Sequence, residues 1–257
     1  MQNNNLKLKM LSLYRLSKYM RYGSMIGASR AGLSMEIVNE AKPSRLLIMA
    51  PHPDDEVFGC GGLLIKHRLV GSEIRLVYLS DGEKENGRPA DKKLSKRRRE
   101  EAERAAEALG AETAFSELRD GRIDEAVVAK ITINQIKEFQ PDTILLPIEF
   151  DDHSDHRATA AGVKKALSVI GKQDNAMPDI SIMFYEIWTP LYPNRIVTID
   201  AEAKNKLISN YKSQLEVRDY DKAILGLNDY RGYITGAGSP AEAFFAIPAK
   251  LWLKLKS

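Results

Sequence analysis

A chain of 257 residues with 44% hydrophobic content can bury a full core, which excludes disorder as its dominant state. A net charge of only +3 gives no reason to expect nucleic acid as a partner. One cysteine, Cys60, rules out an internal disulfide and a thiolate-rich zinc site, so the expected compartment is the cytoplasm.

Residues 1–44 read as an N-terminal extension. No run of about 18 apolar residues occurs, so no spanning helix is expected. The leucines and methionines of residues 1–30 are interrupted by Lys7, Lys9, Arg15, Lys18 and Arg21, unlike a secretory signal. On a helix, Lys7, Arg15, Lys18 and Arg21 gather on one side. Such a segment either packs on its own domain or on a partner subunit of a homo-oligomer, or rests on the inner face of a membrane as a peripheral contact. Packing is the simpler reading.

Residues 45–257 read as one domain. The runs Arg45–Ala50, Glu73–Ser80 and Asp142–Ile148 are short and almost wholly apolar, as strands buried on both faces of a parallel sheet are. Helical patterns lie between them. Residues 61–71 end at a glycine; residues 92–110 carry Ala102, Ala105, Ala106 and Leu109 on one stripe; residues 123–141 repeat the pattern with Val127, Val128, Ile131 and Ile136. Further on, 181–188 and 195–200 look like strands, 201–230 like one or two helices, and 241–256 fits neither pattern. The alternation predicts an α/β fold: Rossmann-like, doubly wound, a mostly parallel sheet with helices on both faces.

Two of these strands run straight into polar clusters. PHPDDE (residues 51–56) follows the first, and DDHSDH (residues 151–156) follows Asp142–Ile148. Open α/β sheets bind ligands at the carboxyl ends of their strands. Three of the four histidines stand at these two junctions. The fourth, His67, lies mid-helix and reads as a packing or surface residue. A helix N-cap would account for one or two of Asp54, Asp55 and Glu56, but not for a histidine set between two prolines. His52, Asp55 and His156 as metal ligands leave a fourth position for water, the arrangement of a catalytic zinc. The expected cofactor is one Zn2+ per chain, with Fe2+ as the alternative. Asp54 then remains as general base, and His153, oriented by Asp155, stabilises the oxyanion. These parts suffice for metal-assisted amide hydrolysis.

In their order PHPDDE, GCGG, SDGE and HSDHR resemble the LmbE-like, or PIG-L, family of zinc-dependent N-acetylglucosamine deacetylases, from about Arg45 to at least Phe245. The resemblance implies the same roles: His52, Asp55 and His156 as zinc ligands, Asp54 as base, and His153 with Asp155 as the transition-state pair. It further implies that Arg98 contacts the sugar or its attached group and that Asp120 contacts sugar hydroxyls. Read by its neighbours alone, in KRRREE, Arg98 is equally part of a solvated charged face. Two departures stand out. Asp151 and Asp152 occupy the place of a tyrosine found in some relatives, and Tyr211 stands near where others have histidine. The implied substrate is an acetylated amino sugar, free or linked to a lipid or glycoside, with specificity expected in loops 83–91 and 185–195. Rival readings are an amidase acting on another N-acyl conjugate and a metal-stabilised sugar-binding module without turnover. A dinucleotide site is disfavoured because the GxGxxG spacing is absent.

Overall fold

The computed structural model describes residues 23, 35–83, 90–173 and 178–255. Apart from Gly23, the basic segment 1–30 lies outside them, as do residues 84–89 of the first specificity loop. The strands are β1 (Glu36–Val38), β2 (Arg45–Ala50), β3 (Glu73–Ser80), β4 (Glu112–Leu118), β5 (Thr143–Pro147), β6 (Ser181–Tyr185), β7 (Arg195–Thr198) and β8 (Ala241–Pro248). Around them lie α1 (Asp55–Leu69), α2 (Lys92–Leu109), α3 (Glu125–Phe139), α4 (Ser154–Gln173), α5 (Ala201–Ile208), α6 (Lys212–Leu215), α7 (Tyr220–Thr235) and α8 (Ala249–Trp252).

The strands form one sheet in the order β1-β7-β8-β6-β5-β2-β3-β4, parallel except for β8, which runs antiparallel to both β6 and β7. Side chains alternate across β2 with the period of 2 that a strand imposes. Leu47 and Met49 pack with Val128, Val163, Leu167 and Trp252 under α3, α4 and α8. Leu46 and Ile48 pack with Val57, Leu64, Ala102, Leu207 and Ile224 under α1, α2, α5 and α7. Helices therefore cover both faces. The domain edge read from the sequence falls at Arg45; the short strand before it, β1, pairs in register with Arg195–Val197 of β7 and ends the sheet.

From β2 the chain winds outward through β3 and β4, and from β5 it winds the other way to β6. The neighbours β2 and β5 therefore flank the topological switch point, where a crevice opens at their carboxyl ends. Helix α1 begins in that crevice and is kinked at Cys60 (φ −145°, ψ 17°). Beyond the kink the backbone amides of Gly62 and Leu63 donate to the Glu242 carboxylate of β8 (2.7 and 2.8 Å), and Lys204 of α5 donates to Glu242 and to the Phe58 carbonyl (2.7 and 2.9 Å). The groups released by the break are thus paired although buried. Glycine at position 59 is a matter of space: a Cβ there would lie 2.2 Å from the Tyr185 ring. Among the described residues no helix is long and apolar enough to cross a membrane.

Candidate active site and metal centre

The turn after β2 is pinned first. The Pro51 carbonyl accepts from both the amide and the hydroxyl of Ser80 at the end of β3 (2.9 Å each). Asp54 follows with φ 125° and ψ −31°, a region that costs a residue with a Cβ roughly 1–3 kcal/mol. Its carboxylate does not cap α1. It accepts instead from Arg98 Nη2 at 3.0 Å, which sets aside an N-cap as the reason for this acid. Asp55 opens the helix, and its Oδ2 accepts from the His52 amide (2.9 Å) while lying 3.1 Å from His52 Nδ1 and 3.3 Å from His156 Nε2.

The residues expected as metal ligands, His52, Asp55 and His156, are thus gathered around one carboxylate oxygen. Among the described residues, the sets whose ligand atoms all come within reach of one ion are different ones, and neither includes Asp55. His52, His153 and His156 form a triangle with ring centroids 4.8, 5.6 and 4.9 Å apart. One ring nitrogen from each lies within 4.8 Å of the others, and the same holds for ligand atoms of His52, Asp120 and Asp155. Both ring nitrogens of the fully buried His156 lack a hydrogen bond. A buried imidazole without such partners among imidazoles and carboxylates fits a borderline divalent cation such as zinc or iron.

Asp155 and His153 meet differently from the sequence expectation. The Asp155 carboxylate reaches His52 Nε2 (3.2 Å) and accepts from the amides of Gly121 (2.6 Å) and Ile123 (3.4 Å). It is the Asp155 backbone amide that donates to His153 Nδ1 (3.3 Å). With Nδ1 accepting, the ring proton of a neutral His153 belongs on Nε2. Asp120 stands 3.4 Å from His52 Nε2, so it belongs to the histidine cluster itself. Arg98 is 5% exposed, donates to the Pro53 carbonyl (2.7 Å) and to Asp54, and has a buried Nε with no hydrogen bond. It does not lie on a solvated face.

Other members carried no role in the sequence reading. Asp151 is fully buried and accepts from the amides of His153 (2.8 Å) and Thr189 (3.2 Å), 3.4 Å from His156 Nδ1. Glu56 is buried with Tyr78 and Tyr211 donating to it. His67 packs at the far end of α1, its Nδ1 2.9 Å from Ser72 Oγ.

Charge is distributed unevenly. Burial opposes a proton on His52, but Asp120, Asp155 and Asp55 outweigh it and hold the imidazole well above its usual range. For His156, Asp55 and Asp151 overcome burial and bring it to about 9. Burial would raise Asp55, yet the two histidines hold it well below a normal carboxyl. His153 is lowered by burial and by the neighbouring imidazoles. Burial pushes Asp54 up to about 8 against the pull of Arg98. A carboxyl that exchanges its proton near neutral pH is suited to acid–base chemistry.

Residues 47–167 match the family model PIG-L, GlcNAc-PI de-N-acetylase. The chain is 27% identical over 195 residues to the diacetylchitobiose deacetylase of Thermococcus kodakarensis, covering 70% of this chain and 72% of that protein. The N,N'-diacetylchitobiose deacetylase of Pyrococcus horikoshii, solved with its inhibitor, superposes with a TM-score of 0.69 at 25% identity, over 81% of this chain and 86% of that one. The 4-carboxy-2-hydroxymuconate hydratase of Pseudomonas putida KT2440 is similar in fold (TM-score 0.66, 22% identity, 80% of this chain and 96% of that one). Over residues 47–167, a little under half of its length, the chain is therefore similar to the PIG-L family.

Proposed function

We propose that the chain is a metal-dependent deacetylase that hydrolyses the N-acetyl group of a GlcNAc-containing conjugate, leaving acetate and a free amine. One observation carries this reading. Asp54, strained and paired with Arg98, lies beside a buried cluster of His52, Asp55 and His156 at the sheet's switch point. The two diacetylchitobiose deacetylases among its relatives support the substrate class.

His52, Asp55 and His156 would hold one Zn2+, or Fe2+, with the same donors. The chemistry such an ion supplies is that of a Lewis acid, which lowers the pKa of water to about 7. The protein's own part is proton transfer and orientation. Asp54 takes the proton of the attacking water and returns it to the departing amine, helped by a proton affinity near neutrality. His153, neutral and protonated at Nε2, donates toward the acetyl oxygen as negative charge develops there. Asp155 fixes the His153 ring through its backbone amide and His52 through its carboxylate. Arg98, paired with Asp54, and Asp120, within the cluster beside His52 Nε2, are the candidates for contact with the sugar.

The test is acetate release by the zinc-loaded chain from N-acetylglucosamine and from its disaccharide, lipid and nucleotide conjugates. Asp54→Ala is expected to lower the rate by about 10²–10⁴ while leaving bound zinc unchanged. A variant that keeps a rate within a few-fold of the parent rules out Asp54 as the base.

A further inference from the structure

Glu56, the last residue of PHPDDE, lies one position beyond a proposed ligand and two beyond the proposed base, and is itself fully buried. Both of its oxygens are engaged. Oε1 accepts from the hydroxyls of Tyr78 (3.0 Å) and Tyr211, and Oε2 accepts from the backbone amide of Asp54 at 3.1 Å. The tyrosines come from separate parts of the fold: Tyr78 from the end of β3, stacked on Phe115 at 4.9 Å, and Tyr211 from the turn between α5 and α6, edge-on to Phe58 at 6.3 Å. Across the same turn, Arg98 holds the Pro53 carbonyl. The peptide entering Asp54 is therefore held through its carbonyl by a guanidinium and through its amide by a carboxylate. That peptide precedes the residue whose φ is 125°.

We propose that Glu56, anchored by Tyr78 and Tyr211, is a positioning residue that fixes the Asp54 backbone in its strained conformation and so aims the Asp54 carboxylate. The inference rests on the reading of Asp54 as base. A displaced catalytic group costs rate more than affinity, about 100-fold for a shift of roughly 1 Å. Glu56 touches neither substrate nor metal in this account, so its loss leaves binding in place.

The experiment uses the zinc-loaded full chain with N,N'-diacetylchitobiose and two variants, Tyr211→Phe and Glu56→Leu. Expected are kcat losses of about tenfold and ~100-fold, KM within about twofold, and unchanged zinc content. Hydrogen exchange supplies a second readout. The Asp54 amide should lose protection while the amides of β2 and β5 keep theirs. Unaltered kcat in both variants overturns the proposal, and so does a loss of protection that spreads across the sheet along with activity. If Glu56→Leu does not fold, Tyr211→Phe, which keeps the ring, decides alone. Acetate release by the parent chain separates the two readings. Its absence there and across the other N-acetylglucosamine conjugates sinks the deacetylase reading; its presence with equal kcat in the variants sinks the role of Glu56.

Discussion

An exposed aspartate titrates near 4, whereas Asp54 is pushed up to about 8 because burial outweighs the adjacent guanidinium. Arg98 therefore has a definite sign of effect. Arg98→Gln removes the charge that lowers Asp54, so the carboxyl rises further. The base must be ionised to accept a proton, so the acid limb of the pH–rate profile should move to higher pH, with kcat/KM falling most below about pH 8. A profile with an unmoved acid limb would detach Arg98 from the base. This arginine's position was partly legible in sequence. Arg98 shares the stripe of Ala102, Ala105 and Leu109, at helical spacing, and that stripe faces the core. The surrounding run of charges masked the signal. Glu56 was not legible at all, because the tyrosines that engage it stand 22 and 155 residues away.

At the level of elements, β2 and β3 match the residues read from sequence because continuous aliphatic runs leave little latitude at their ends. Strand β4 escaped notice: ETAFSEL, on the sheet's outer edge, has neither a continuous apolar run nor a clean alternation, and none of its side chains is fully buried. Helix α1 begins six residues before the expected Gly61, since the glycines that argue against a helix are needed for close packing on Tyr185 and Ile199. Residues 241–256 combine strand β8 with the short α8, which explains why neither pattern fitted. The buried pair of Lys204 and Glu242 joins α5 to β8 and to the kink in α1. Lys204→Met should destabilise the fold by about 3–5 kcal/mol, measured by urea unfolding, because it strands a carboxylate with two amides and no cation. A loss below about 1 kcal/mol would show that the two amides suffice.

For the molecule as a whole, the switch point explains why clusters a hundred residues apart in sequence share one site. His52 and Asp55 follow β2, His156 opens α4 after β5, and unfolding separates them. A metal ion bound there binds only the folded chain, so at 100 times its Kd it should add about 2.7 kcal/mol. For a chain of this size that is roughly 5–10 °C in Tm, lost on chelation and visible by calorimetry. An unchanged Tm would argue against a metal held across these elements. The kink in α1 has one more consequence. Cys60 stands at that break, fully buried, with its thiol donating to the Glu56 carbonyl (3.1 Å) and its acidity suppressed by burial. It is the one thiol of the sequence. A thiol-specific label therefore has a single point of attack, closed while the helix is intact. The rate at which the native chain takes up such a label is a clock for how often the floor of the site opens, already built in little more than one turn beyond Asp55.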